Sequence, residues 1–185
     1  MYRDLILKII SELDREKIPY MIIGGQAILL HGEPRMTQDI DITLGIDIDD
    51  YKKIESVITK LKLEPLVGNI QGFLEKTRTL PVRDSNTGVR IDIIFSFIGY
   101  ERQAIERGKK FRYKNQSINY ASKEDMIIMK IIAGRSRDLD DAAGIMLKNK
   151  NLDEKYIRKW LNEFSGLLER DFIAIYEKLR ADSIF

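Results

Sequence analysis

The chain has no cysteine and a single histidine, His31. Without cysteine there are no disulfides, thiolate metal sites or cysteine nucleophiles. With one histidine, a histidine-built zinc site or a Ser-His-Asp hydrolase would rest on a single imidazole, which is too little for either. Neither sign of charge dominates. The 31 basic and 29 acidic residues leave a net charge of +2, which is no footprint for general nucleic-acid binding. No apolar run approaches the roughly 20 residues that a membrane span requires. Arg3, Asp4 and Lys8 interrupt the first apolar pattern, so it does not read as a targeting segment, and the expectation is a cytoplasmic protein with no membrane partner. Internal repeats, low-complexity tracts and flexible linkers are also missing. What is present, 44% apolar and 32% charged residues over 185 positions, describes a soluble globular chain of one domain, or one domain with a small appended lobe.

One stretch organises the rest, MIIGGQAILLHGEPRMTQDID from Met21 to Asp41. Met21, Ile22 and Ile23 form a short apolar run stopped by Gly24-Gly25, and Gln26-Ala27-Ile28-Leu29-Leu30 has the composition of a helix. A strand that turns on glycines into a helix offers free backbone N–H groups and the positive end of the helix dipole, which suits an anion. Asp39 and Asp41 then alternate with Ile40 and Ile42. On a strand both carboxylates point to one face, about 7 Å apart, while the isoleucines point into the core. Two carboxylates held side by side repel each other and call for a cation.

Around this stretch the spacing of Leu5, Ile6, Ile9, Ile10 and Leu13 predicts an amphipathic helix over residues 2–17, ended by Pro19. Asp47, Asp49 and Asp50 precede a helix whose apolar face is Tyr51, Ile54, Ile58 and Leu61, so helix capping explains them more simply than metal binding. From about Gly72 to Ile98 the pattern is strand-like, with a hairpin of Leu80–Arg83 and Val89–Phe95 around Asp84–Gly88. In its second strand Asp92 is a charge in an apolar run; its partner is either the neighbouring Arg90 or a metal shared with Asp39 and Asp41. Residues 100–107 predict a helix, and Phe111–Tyr113 with Ser117–Tyr120 a small hairpin. Beyond residue 120 the composition is helical. Ser122 and Asp125 resemble a capping box, and 126–133 is apolar nearly all round except for Lys130. That lysine either pairs with an acid such as Asp138 or reaches a phosphate. Asp138, with Asp141 at the third following position, is expected to cap a helix over 139–147, and two more helices follow. His31 reads as a helix-end residue rather than a catalyst. The expected fold is α/β (α+β): a mixed sheet flanked by helices over residues 1–120, followed by a C-terminal helical lobe over 121–185 packed on the core.

Gly24-Gly25, Asp39-Ile40-Asp41 and Asp92, in this order and spacing, resemble the nucleotidyltransferases of the DNA polymerase beta superfamily. The flanking PRMTQDID and KIIAGRSRD segments resemble the small prokaryotic members associated with toxin-antitoxin and abortive-infection systems. The likeness covers about residues 20–145. It implies a nucleotidyltransferase-like fold and transfer of a nucleoside monophosphate from NTP to a hydroxyl of a protein, a tRNA or a small molecule, with pyrophosphate released. An antibiotic-modifying enzyme, or an inactive nucleotide- or partner-binding module of the same fold, is the alternative. It further implies two Mg²⁺ or Mn²⁺ ions on Asp39, Asp41 and Asp92, and nucleotide contacts from Gly24, Gly25, Gln26, Arg35, Thr37, Lys130, Arg135 and Asp138. A toxin or antitoxin partner is implied as well. One departure is that Gly25-Gln26 lacks the serine hydroxyl that some members place near a terminal phosphate, which leaves that contact to backbone N–H groups and basic side chains.

Overall fold

The computed structural model describes residues 2–34, 36–97 and 99–182. The chain forms two compact units, Met1–Gln26 with Met36–Ala121, and Ala27–Arg35 with Ser122–Phe185.

In the first unit, helix α1 (Tyr2–Arg15) buries Leu5, Ile6, Ile9, Ile10 and Leu13, the face that the sequence spacing predicts. The chain leaves it through Lys17 at φ 55, and the Ile18 N–H closes the end on the Leu13 carbonyl at 2.9 Å. Strand β1 (Tyr20–Ile23) leads into α2 (Gly24–His31), and strand β2 (Asp39–Leu44) follows. A 3-10 turn (Ile48–Asp50) and α3 (Tyr51–Leu61) lead to β3 (Leu63–Pro65), α4 (Ile70–Thr77), β4 (Thr79–Asp84) and β5 (Arg90–Phe95). Helix α5 (Gly99–Arg107) and the hairpin of β6 (Lys109–Tyr113) and β7 (Gln116–Tyr120) complete the unit. The strands among the described residues make one mixed sheet in the order β3-β4-β5-β2-β1-β7-β6. The pairs β2–β5 and β1–β7 are parallel and the others antiparallel. Ile22, Ile40, Ile42, Ile91 and Ile93 are buried in its core. The fold is therefore the mixed α/β type that the sequence implies.

Two local expectations are corrected here. The strand-like reading from Gly72 onward fails for residues 70–77, which are helix α4; the Asn69 side chain caps it by accepting from the Gly72 N–H at 3.0 Å, and Leu74 is its buried residue. The glycines Gly24 and Gly25 are already the first turn of α2 rather than a turn before it. Gly24 stands at φ +63, where a side chain would be strained.

The second unit contains α6 (Lys123–Ala133), α7 (Ser136–Lys148), α8 (Glu154–Leu168) and α9 (Phe172–Asp182). Ser122 caps α6 as expected: its Oγ accepts from the Asp125 N–H at 3.1 Å and donates to Asp125 Oδ2 at 2.6 Å. Gly134, at φ +67, ends the helix. Helix α7 begins at Ser136, not at Leu139, so Asp138 lies in its first turn and does not cap it. The reason is competition: Lys130 and Arg135 take the Asp138 carboxylate, and a carboxylate already inside the first turn gains from the helix dipole. His31 and Gly32 are tied into this unit by Asn149 and Lys148, which donate to their carbonyls at 2.9 and 2.7 Å. His31 is the last residue of α2. No helix among the described residues is long and apolar enough to cross a membrane.

Candidate active site

Alternation along β2 fixes its two faces. Ile40 and Ile42 go into the core, and Asp39 and Asp41 go to the opposite face with Thr43. The parallel register with β5 sets Asp41 level with Asp92, and Asp39 level with Arg90. Residues level across neighbouring strands project to the same side, about 4.8 Å apart at the backbone. On β2 and β5 this face therefore carries Asp39, Asp41 and Asp92 with Arg90, and Arg83 of β4 stands level with Arg90.

The glycine turn closes against this face. A Cβ on Gly24 would overlap the Asp41 carboxylate, coming within 2.7 Å of its Cγ, and a Cβ on Gly25 would come within 2.6 Å of Thr37 Cβ. The absence of side chains at both positions thus lets the start of α2 touch the carboxylate strand. The first N–H groups of any helix lack partners within it, so the amide edge at Gly24, Gly25 and the buried Gln26 lies beside Asp41. A cation on the carboxylates and an anion on the amides would be neighbours.

Asp92 is not idle. Its Oδ1 accepts from Arg90 Nε at 2.9 Å, with the Arg90 side chain half exposed and that of Asp92 at 21%. The hydrogen bond to Asp92 holds the Arg90 guanidinium above its ordinary pKa, helped by the charge of Asp92 and, further off, those of Asp39 and Asp41. Of the two partners that the sequence offers Asp92, the arginine is the one in contact. Among the described residues no three acidic or histidine side chains stand close enough together to hold a metal ion. The donor set is nevertheless of the right kind: carboxylate oxygens on one face suit a hard divalent cation such as Mg²⁺ or Mn²⁺. Arg90 already acts as a stand-in cation there. The sequence alone makes Arg90 only a rival for Asp92; that it also stands opposite Asp39 follows from the β2–β5 register.

The remaining expected site residues fall into three groups. Thr37 sits against Gly25, and Arg35 lies outside the described residues. Lys130, Arg135 and Asp138 belong to the second unit, where they bind one another: Lys130 Nζ lies 2.6 Å from Asp138 and 2.9 Å from Asp141, and Arg135 Nε lies 2.5 Å from Asp138. Burial pushes the Asp138 carboxyl up, but the hydrogen bonds and charges of Arg135 and Lys130 together outweigh it and hold the group below the usual carboxylate range. The ion-pair alternative for Lys130 is thus the contact seen. The Asp47–Asp50 cluster is structural: Asp47 accepts from the Ile48 N–H at 2.6 Å and from Arg78 at 2.8 Å, and Asp50 pairs with Lys53 at 2.8 Å.

A family model described as "Nucleotidyltransferase of unknown function (DUF6036)" matches residues 3–170. The chain belongs to this family. It is a nucleotidyltransferase. No curated protein matches it in sequence. Among solved structures it is similar to the antibiotic-resistance factor ANT(2'')-Ia in solution, with a TM-score of 0.60 at 16% identity over 90% of this chain and 94% of that one. It is also similar to the lincosamide antibiotic adenylyltransferase LnuA bound to lincomycin (TM-score 0.51, 16% identity, 74% and 91% coverage). A third is a candidate nucleotidyltransferase from Thermotoga maritima (TM-score 0.52, 20% identity, 88% and 93% coverage). At these identities the likeness is one of fold.

Proposed function

We propose that this enzyme moves a nucleoside monophosphate from an NTP to an acceptor hydroxyl, using divalent Mg²⁺ or Mn²⁺ held as two ions by Asp39, Asp41 and Asp92. The observation that carries the reading is the registry of Asp41 with Asp92 across parallel strands, with the bare Gly24 against the Asp41 carboxylate. In the transfer the acceptor hydroxyl gives up its proton to solvent as its oxygen bonds to the α-phosphorus, the bond from that phosphorus to the bridging oxygen breaks, and pyrophosphate leaves with the electron pair. When bound, divalent ions supply charge neutralisation at both the entering and the leaving oxygen. Asp39 and Asp41, two residues apart on one strand face, would hold the divalent cations. Asp92, one strand over, serves the acceptor side. The Gly24–Gln26 amides accept the β and γ phosphates, where the helix dipole favours negative charge. Thr37 lies against Gly25 at the start of α2.

The PRMTQDID and KIIAGRSRD segments support a protein or tRNA acceptor within a toxin-antitoxin system, with a partner protein. A second reading has its own observation: ANT(2'')-Ia has been captured with adenylyl-2''-tobramycin and LnuA with lincomycin, which favours a small-molecule hydroxyl. Incubation with each of four α-labelled NTPs and Mg²⁺ or Mn²⁺, against tRNA, cell-extract protein, and aminoglycosides and lincosamides in separate pools, distinguishes them. Label should enter one pool and be lost with Asp41→Asn. Equal labelling by wild type and variant in every pool would overturn the reading.

A further inference from the structure

The near balance of charge over the whole chain hides a local excess. From Gly99 to Tyr120, through α5, β6 and β7, six basic residues meet two acids, while the chain as a whole carries +2. Strand β6 ends the sheet beside β7, and its Lys109, Lys110, Phe111 and Arg112 are all exposed. Among the described residues none of these three cations makes an ion pair, whereas Lys114 just beyond them is held by Asp4 at 2.8 Å. The Tyr113 ring already has Arg3 and Lys114 near it, at 5.3 and 5.5 Å. The Phe111 ring meets Tyr120 edge to face at 5.7 Å and stays 39% exposed. Cations on a sheet edge discourage strand pairing, but an exposed phenyl ring between them works against that task.

Register ties this edge to the carboxylates. Asp41 is level with Ile23, Ile22 with Tyr120, and Tyr120 with Lys109. Lys109 therefore starts β6 three strand spacings from Asp41, about 14 Å across the sheet. Alternation from these pairs puts Lys110 and Arg112 on the Asp41 face and Lys109 and Phe111 on the other. Lys110 also lines a cavity of about 600 Å³ with Asn115, Ser117, Asn119, Asp14 and Glu106. That is the size of a small-molecule site, and amides and carboxylates are the groups that read the edges of an unstacked base.

Resting on the reading of this chain as a transferase to an acceptor hydroxyl, we propose that the β6 edge docks single-stranded RNA and delivers its hydroxyl-bearing end to the carboxylate face. Lys109, Lys110 and Arg112 meet the phosphates from both sides of the strand, with release of the counterions condensed there. Phe111 offers a face on which a base stacks. The RNA is thus the acceptor class whose charge this edge complements.

The test is fluorescence anisotropy of a labelled single-stranded RNA oligonucleotide across a salt series, without nucleotide, with circular dichroism confirming each fold. The edge variant joins Lys109→Gln, Lys110→Gln and Arg112→Gln. A control with the same net charge joins Lys52→Gln, Lys62→Gln and Lys76→Gln, on α3, before β3 and on α4. The edge variant is expected to flatten the logarithmic salt slope by about 2 and to bind about a hundredfold more weakly at 0.1 M salt. The control keeps the wild-type slope. Phe111→Leu is expected to bind about tenfold more weakly with the slope unchanged. If the edge variant aggregates, Lys110→Gln alone serves, with a slope change of about 0.7. Absence of RNA binding by the wild type at low salt, or equal weakening in edge and control variants, would overturn the docking edge. RNA held at the edge but never labelled, while small molecules are, would overturn the delivery. Asp41→Asn is expected to bind RNA like the wild type, so label entering no pool while RNA still binds would sink the transfer reading and leave the docking edge standing.

Discussion

Asp41 is the residue on which the most constraints meet. It alternates with core isoleucines, stands level with Asp92, and borders Gly24. Replacing it with Asn keeps the shape and removes the charge, so transfer should fall about a thousandfold or more, the scale on which charge-stabilising groups act. Single-turnover rates measure this, and a fall of less than tenfold would take Asp41 out of the mechanism. Gly24 tests the same spot from the other side. At φ +63 an alanine would be strained, and its Cβ would overlap the Asp41 carboxylate. The strain alone is worth about 1–2 kcal/mol, and the clash must displace Asp41 or the turn. Gly24→Ala should therefore lower both the urea midpoint and the transfer rate, whereas Gly68→Ala, with open space around it, should lower neither.

Between elements, the joint of α6 and α7 is made by Lys130 against Asp138 and Asp141. All three side chains are nearly buried, at 11%, 4% and 8% exposure. Removing the lysine leaves two carboxylates close together in a poorly solvated place. Loss of one member of a buried ion pair costs about 3–5 kcal/mol, so Lys130→Met should be severely destabilised at neutral pH. The pH dependence has a definite sign. The folded-state pKa of Asp138 is depressed, so its contribution to stability is present above its unfolded pKa, about 3.9, and is lost as pH falls through the lower folded value. Thermal melts from pH 3 to pH 7 should show the wild type losing stability at the acid end. Lys130→Met should show less of that loss, because Arg135 alone then opposes the burial that pushes the Asp138 carboxyl up. Equal acid sensitivity of the two proteins would remove the ion pair from the stability of the joint. If Lys130 instead serves the nucleotide, the same variant keeps its melting temperature and loses NTP affinity.

At the scale of the molecule, the site couples binding to stability. A ligand that binds only the folded state at about 100 times its dissociation constant adds about 2.7 kcal/mol, which is about 5–10 °C in melting temperature for a chain of this size. Mn²⁺ together with a non-hydrolysable NTP analogue should give such a shift. Calorimetric scans with metal, with nucleotide and with both provide the measurement, and the absence of a shift with both would remove metal and nucleotide binding from this fold.

Local pattern was enough to read much of this from the residues in order. The α1 face, β1, the β4–β5 hairpin, the β6–β7 hairpin and the Ser122 cap each depend on neighbours within a few positions, where periodicity and turn chemistry act directly. The shared face of Asp39 and Asp41 was also legible, because a strand that alternates acid with isoleucine gives its acids one face. Local pattern failed where partners are distant. Residues 70–77 carry too weak a signal to separate helix from strand, and the start of α7 shifted because Lys130, eight residues before Asp138, claims that carboxylate. The pairing of β2 with β5 joins positions about fifty residues apart, and no spacing along the chain encodes it. Only once those strands lie side by side does Asp92 fall level with Asp41 and Arg90 with Asp39. The gathering of Asp39, Asp41, Asp92 and Arg90 on one face is therefore a property of sheet register, set by burial of Ile40, Ile42, Ile91 and Ile93 on the opposite face.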